Sequence, residues 1–128
     1  MKTKLTIAVD FDGTCVTHEF PAVGQDIGAV PVLKKLAAAG HKIILLTMRS
    51  GETLEAAKQW FADNDIPLFG VNWNKTQWRW TKSRKVHADV YIDDQALGAP
   101  LKELPSLARP YYIDWEAVND WFEKRGLI

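Results

Sequence analysis

Strands that take turns with helices predict an α/β fold, a parallel sheet in three layers with helices on both faces. Two observations carry this reading. Short apolar runs recur along the chain, separated by stretches of helical periodicity, and three of those runs end on polar residues, where open α/β sheets hold their ligands. The 128 residues are read as one domain, 1–128, at 47 % apolar content enough to bury a core.

Leu5 to Val9 is a continuous apolar run and reads as a buried strand that ends on Asp10 and Asp12. A polar loop from Cys15 to Gly28 follows. A helix then starts near Ala29, with Pro31 suited to its first turn and Val30, Leu33 and Leu36 as its stripe. Gly40 stops it as a C′ glycine does, and Ile43 to Leu46 form a second buried strand closing on Thr47. Glu52 to Asn64 reads as a helix with Leu54, Ala57, Trp60 and Phe61 inward. Pro67 opens a third short strand through Val71. After a polar, tryptophan-rich connection, Ser83 is suited to cap a short helical turn before a fourth strand, Val90 to Ile92, that ends on Asp93-Asp94. Tyr111 to Ile113 reads as a fifth strand, and Asp114 caps a last amphipathic helix through Lys124, with Trp115, Trp121 and Phe122 as docking residues.

Sixteen basic residues balance sixteen acidic ones, so net charge favours neither a polyanion nor a membrane surface as partner. The basic start, Met1 to Lys4, is followed by an apolar run too short for a signal sequence or a membrane span. A cytoplasmic location is expected, and the sequon Asn74-Lys75-Thr76 is then chance. The single cysteine, Cys15, has no internal partner and reads as a small packing residue. His41 and His87 show no ligand spacing and read as surface residues, while His18, in the loop after Asp10 and Asp12, reads as an exposed loop histidine or as a contact to substrate.

The strand ends hold the chemistry. Asp10 and Asp12 fall on the same side of an extended backbone, so their charges repel unless a cation or a proton separates them. The same sheet edge should receive Thr47 and Asp93-Asp94. Asp10-Phe11-Asp12-Gly13-Thr14 after one strand, Thr47 after a second, Lys85 ahead of another and Asp93-Asp94 closing it together resemble the four ordered motifs of the haloacid dehalogenase superfamily. The resemblance spans Leu5 to about Leu97 and implies a Rossmann-like core.

That resemblance implies a phosphatase. Asp10 would be the nucleophile, forming an aspartyl-phosphate, and Asp12 the general acid and base. Mg²⁺ would be bound by Asp10, Asp12 (through its backbone carbonyl), Asp93 and Asp94. Thr47 and Lys85, with Lys82 as the alternative lysine, would hold the phosphoryl group, helped by Gly13, Met48 and Arg49. Arg49 reads equally as an exposed loop residue. An acid at Asp12 disfavours dehalogenation. Only residues 15–28 and the tryptophan segment stand where the superfamily carries cap domains, so no cap is expected, and an open site motivates the expectation of at least a dimer. Two other readings share the fold: a phosphoryl-accepting signalling domain and an idle interaction module. The stretch Asn72 to Lys85, with Trp73, Trp78 and Trp80 among five basic residues, resembles a base-stacking surface, a short wall beside the site, or rings packed under a loop. Neutral net charge argues against nucleic acid, which leaves a small phosphorylated molecule as the expected substrate.

Overall fold

The computed structural model describes residues 3–128; Met1 and Lys2 of the basic start lie outside the described residues. Four parallel strands, β1 (Thr6–Val9), β2 (Lys42–Leu45), β3 (Gly70–Val71) and β4 (Val90–Ile92), form a sheet in the order β3-β2-β1-β4. Helices α1 (Ala29–Ala38), α2 (Gly51–Asp63) and α3 (Trp115–Lys124) flank it. The α/β expectation holds at this level, and the architecture is compatible with a Rossmann-like fold. No helix among the described residues is long and apolar enough to cross a membrane.

The strand order dictates where the connections go. The steps β1 to β2 and β2 to β3 run in one direction, so right-handed crossovers put α1 and α2 on one face; the return from β3 to β4 must cross the other. The core follows this rule. Ile7, Val9, Ile43 and Leu45 share one face of the sheet and form a single apolar cluster with Leu33 and Leu36 of α1, Ala57 and Phe61 of α2, and Val118 and Phe122 of α3. Ala8 and Ile44 alternate to the other face and are also buried.

That second face is covered differently from the expectation of helices on both sides. The segment 72–89 lies over it with one 3₁₀ turn, Gln77–Arg79, and the helical turn expected after Ser83 is absent. Instead the Ser83 hydroxyl accepts the Lys85 N–H at 3.2 Å. The segment lacks an apolar stripe at helical spacing, and two buried amides replace the helical hydrogen-bond ladder. Gln77 donates to the carbonyls of Ser83 and Lys85 and accepts from the N–H of His87, while Asn74 donates to the His87 carbonyl. Tyr91, which stands beside Ala8 on this face, donates its hydroxyl to Val86 O and accepts from Ala88 N.

Tyr111–Ile113 (β6) is a strand as expected, and it stands outside the parallel sheet, paired antiparallel with Leu101–Glu103 (β5). The β5 strand has three exposed residues and therefore no alternation to read. His41 is buried rather than at the surface: its Nδ1 accepts the Leu5 N–H at 2.9 Å and its Nε2 lies 2.8 Å from Leu127 O, which requires the proton on Nε2. Two caps are as read: Asp114 accepts from the N–H groups of Glu116 and Ala117, and Gly40 (φ 93) closes α1. Asp26, which carries no such expectation, receives the N–H groups of Ala29 and Val30 at the start of α1.

Candidate functional site

The connections leave β1 in opposite directions on its two sides, so the switch point of the sheet lies between β1 and β4, and ligands of open α/β sheets bind at such a point. Asp10 follows β1, and its N–H donates to Ile92 O at 3.0 Å, which sets it beside the end of β4. Asp93 and Asp94 follow β4. Oxygens of Asp10, Asp93 and Asp94 lie within 4.8 Å of one another.

Asp10 is the carboxylate of this group whose ionisation the surroundings oppose. Burial first, and the Asp93 charge second, push the Asp10 carboxyl from 3.8 up to about 7. The donor set is all oxygen and anionic, which suits a hard divalent cation such as Mg²⁺ rather than a soft metal. The fully buried Thr14 hydroxyl ties the group together. It lies 3.0 Å from an Asp10 oxygen and 3.1 Å from an Asp94 oxygen, and it accepts the Asp94 N–H at 3.0 Å. With a single proton it serves one carboxylate at a time.

The loop from Gly13 to His18 is held from several directions. The buried Trp115 indole donates to Thr14 O at 2.7 Å, and Ile113 N donates to Gly13 O at 3.2 Å, so α3 and β6 brace it from behind. His18 turns back so that its Nε2 sits 3.0 Å from an Asp94 oxygen. Gly13 permits this in two ways. Its φ is 78, and a Cβ there would run into the His18 ring and the Asp94 carboxylate. Cys15 packs in the core as expected, and burial pushes its thiol well above its usual range, which keeps it protonated.

Asp12 faces a different partner. Arg49 grips it with two parallel bonds, Nε to one oxygen at 2.8 Å and Nη2 to the other at 2.7 Å. The guanidinium is buried between the Phe11 and Phe20 rings, 5.0 and 5.1 Å from their centroids. Its remaining donors reach the carbonyls of Pro21, Ala22 and Thr53. The exposed loop arginine is thus a buried staple, joining the segment after β1, the 20–22 loop and the start of α2.

Asp10, Asp12, Met48, Arg49, Asp93 and Asp94 line one cleft of about 510 Å³. Gly13 lies under it. Thr47 follows β2 beside it; its N–H donates to Asn72 Oδ1 at 2.8 Å, and its hydroxyl accepts from Arg49 N, which leaves the hydroxyl proton free. Met48 is fully exposed at the mouth. Lys85 is not among the residues that line the cleft. The segment ahead of β4 wraps the Tyr91 hydroxyl on the second face, and Lys85 borders a separate groove there with Gln77, Trp80 and His87. Lys82, the alternative, is exposed and also outside the cleft.

His18 also lines it, as do three residues with no sequence signal for the site, Phe20, Gln95 and Arg109. His18 was legible as a loop histidine near the aspartates, but its turn depends on Gly13. Arg109 arrives from the connection between β5 and β6, a hairpin without a sequence signal. Beside it, a second groove of about 390 Å³ shares His18, Asp94, Gln95 and Arg109 with the cleft and continues to Leu101 and Tyr111.

A solved structure, described as a conserved protein coded by a locus from Bacteroides thetaiotaomicron, superposes on this chain with a TM-score of 0.78 and 33 % sequence identity, covering 96 % of this chain and 93 % of that one. No family model matches the chain, and no curated protein matches it.

Proposed function

This chain belongs to the family of that conserved Bacteroides thetaiotaomicron protein, and from the site it carries we propose that it is a phosphatase of the haloacid dehalogenase type, without a cap domain, that hydrolyses a phosphomonoester through an aspartyl-phosphate. The observation that supports this most is the meeting of Asp10, Asp93 and Asp94 at the ends of adjacent parallel strands, with Asp12 on the same cleft.

Asp10, Asp93 and Asp94 are the residues that would hold Mg²⁺, with the Asp12 carbonyl as a further ligand. Bound there, the ion would offset the carboxylate charges and that of the incoming phosphate. An Asp10 oxygen attacks phosphorus as the bond to the leaving oxygen breaks, and that oxygen takes a proton from Asp12. Water then attacks the phosphoryl group on Asp10, giving its proton to Asp12 and releasing phosphate. Both Asp12 oxygens accept from Arg49, which fixes the carboxyl in place and leaves a second lone pair on each oxygen for the proton. Arg109 takes the electrostatic role expected of Lys85, because it and not Lys85 lines the cleft. The leaving group extends into the neighbouring groove toward Tyr111.

Phosphate release from a panel of phosphomonoesters, with and without Mg²⁺, tests the proposal beside Asp10→Asn. Release that needs the metal and vanishes in the variant is expected; release that Asp10→Asn leaves intact would contradict it.

A further inference from the structure

The neutral net charge hides a segregation. From Ile66 to Ala88 the chain has five basic residues, Lys75, Arg79, Lys82, Arg84 and Lys85, and no acidic one, so the remainder is acidic overall. All five are exposed. Among the described residues, none of their side chains makes an ion pair or a hydrogen bond; Lys75 alone has a neighbour of note, the Phe69 ring at 4.9 Å. Unpaired cations on one short segment keep their full attraction for a polyanion.

The same segment shows its tryptophans to solvent. Trp78 and Trp80 are each 65 % exposed and Trp73 is 45 % exposed. These rings are not packed under the loop, since the buried amides of Asn74 and Gln77 hold the segment together instead. Trp80 meets the His87 ring edge to face at 5.4 Å, and the two border an open groove of about 220 Å³ that Lys85 also lines. Aromatic faces beside cations, on a scaffold held by hydrogen bonds, match what an unpaired nucleic-acid strand offers, bases to stack and phosphates to neutralise. A membrane interface would take tryptophans and cations too, but the groove beside Trp80 is bordered by the polar side chains of Gln77, Thr81, Ser83, Lys85 and His87, which suits a base and its phosphate better than an acyl chain.

We propose that the face formed by residues 72–88 binds single-stranded nucleic acid, with Trp78 and Trp80 as stacking platforms and the segment's five unpaired cations along the phosphates. Asn72, which opens the segment, accepts the Thr47 N–H. The binding surface stands apart from any chemistry at Asp10.

Fluorescence anisotropy of labelled oligo(dT) and oligo(U) of about 16 nucleotides, in chelator and across a salt series, tests it. Binding by the wild type, weakening as salt rises, is expected. The Trp78→Ala/Trp80→Ala variant should bind about tenfold or more weakly. Lys82→Glu/Arg84→Glu should weaken binding and flatten the salt dependence. These side chains are exposed, and circular dichroism checks that each variant keeps its fold. Absence of binding at low salt, or binding unchanged in Trp78→Ala/Trp80→Ala, overturns the proposal. So does binding to phosphatidylserine vesicles without binding to either oligonucleotide, which would assign the face to a membrane.

Discussion

Arg49 and Asp12 are joined by two parallel hydrogen bonds of 2.8 and 2.7 Å, and the arginine in that pair is almost wholly buried. Removing one partner of such a pair leaves the other without compensation, which typically costs more than the pair itself contributes. Arg49→Ala should therefore lose about 3 kcal/mol of stability, read by urea denaturation. Arg49→Lys keeps the charge but not the fork, and should recover only part of the loss. A loss within about 0.5 kcal/mol for Arg49→Ala, the range of ordinary surface substitutions, would show that the staple contributes nothing.

Asp10 makes the metal-free protein sensitive to pH. Its carboxyl is raised from 3.8 to about 7 in the folded state, chiefly by burial, so between those values the folded chain holds a proton that the unfolded chain has released. Stability from this group is fully present below pH 4 and is lost as pH rises through 7, with a slope of at most about 1.4 kcal/mol per pH unit. In chelator, Asp10→Asn should melt above the wild type at pH 8 and close to it at pH 4. Equal melting temperatures at pH 8 would remove the account of burial and charge crowding.

Mg²⁺ should reverse that penalty. A ligand that binds only the folded state stabilises it by mass action, so the wild type at pH 8 should gain melting temperature on adding Mg²⁺. Asp10→Asn, Asp93→Asn and Asp94→Asn should each gain less. Thermal shift across a Mg²⁺ titration checks this; an equal gain in all four proteins would place any binding outside the cluster.

Much of this was legible in residues, and the parts that were not have physical reasons. Asp10, Asp12, Asp93 and Asp94 follow apolar strands, so the parallel topology brings them to one edge whatever the loops do. Asp114 and Gly40 act through local backbone geometry and read directly as caps. By contrast, β5 is three exposed residues whose pairing with Tyr111–Ile113 is long-range, so Arg109 could not be placed. Order along the chain points to Lys85, while its position depends on how the Gln77 and Asn74 amides fold the segment. Arg49 and His18 looked like loop side chains because their burial comes from Phe11, Phe20 and Gly13, contacts that no local periodicity encodes.

Gly13 sets the distance between the two halves of the site. A Cβ at this position meets both the His18 ring and the Asp94 carboxylate, on a backbone with φ of 78. Gly13→Ala should lower stability by about 1–3 kcal/mol and abolish most of the proposed phosphatase activity. Thermal melts and phosphate release on one preparation check both. A variant that keeps wild-type activity would show that the His18–Asp94 contact has no part in the reaction.

The central claim is that Asp10 becomes covalently phosphorylated, and trapping that species tests it most directly. The protein is mixed with Mg²⁺ and the best substrate from the phosphomonoester panel, quenched in acid and examined by peptide mass spectrometry. The account predicts a phosphoryl group on the peptide carrying Asp10, short-lived under native conditions and absent from Asp10→Asn. Phosphate release with no label on Asp10, or a label on another residue, would contradict it.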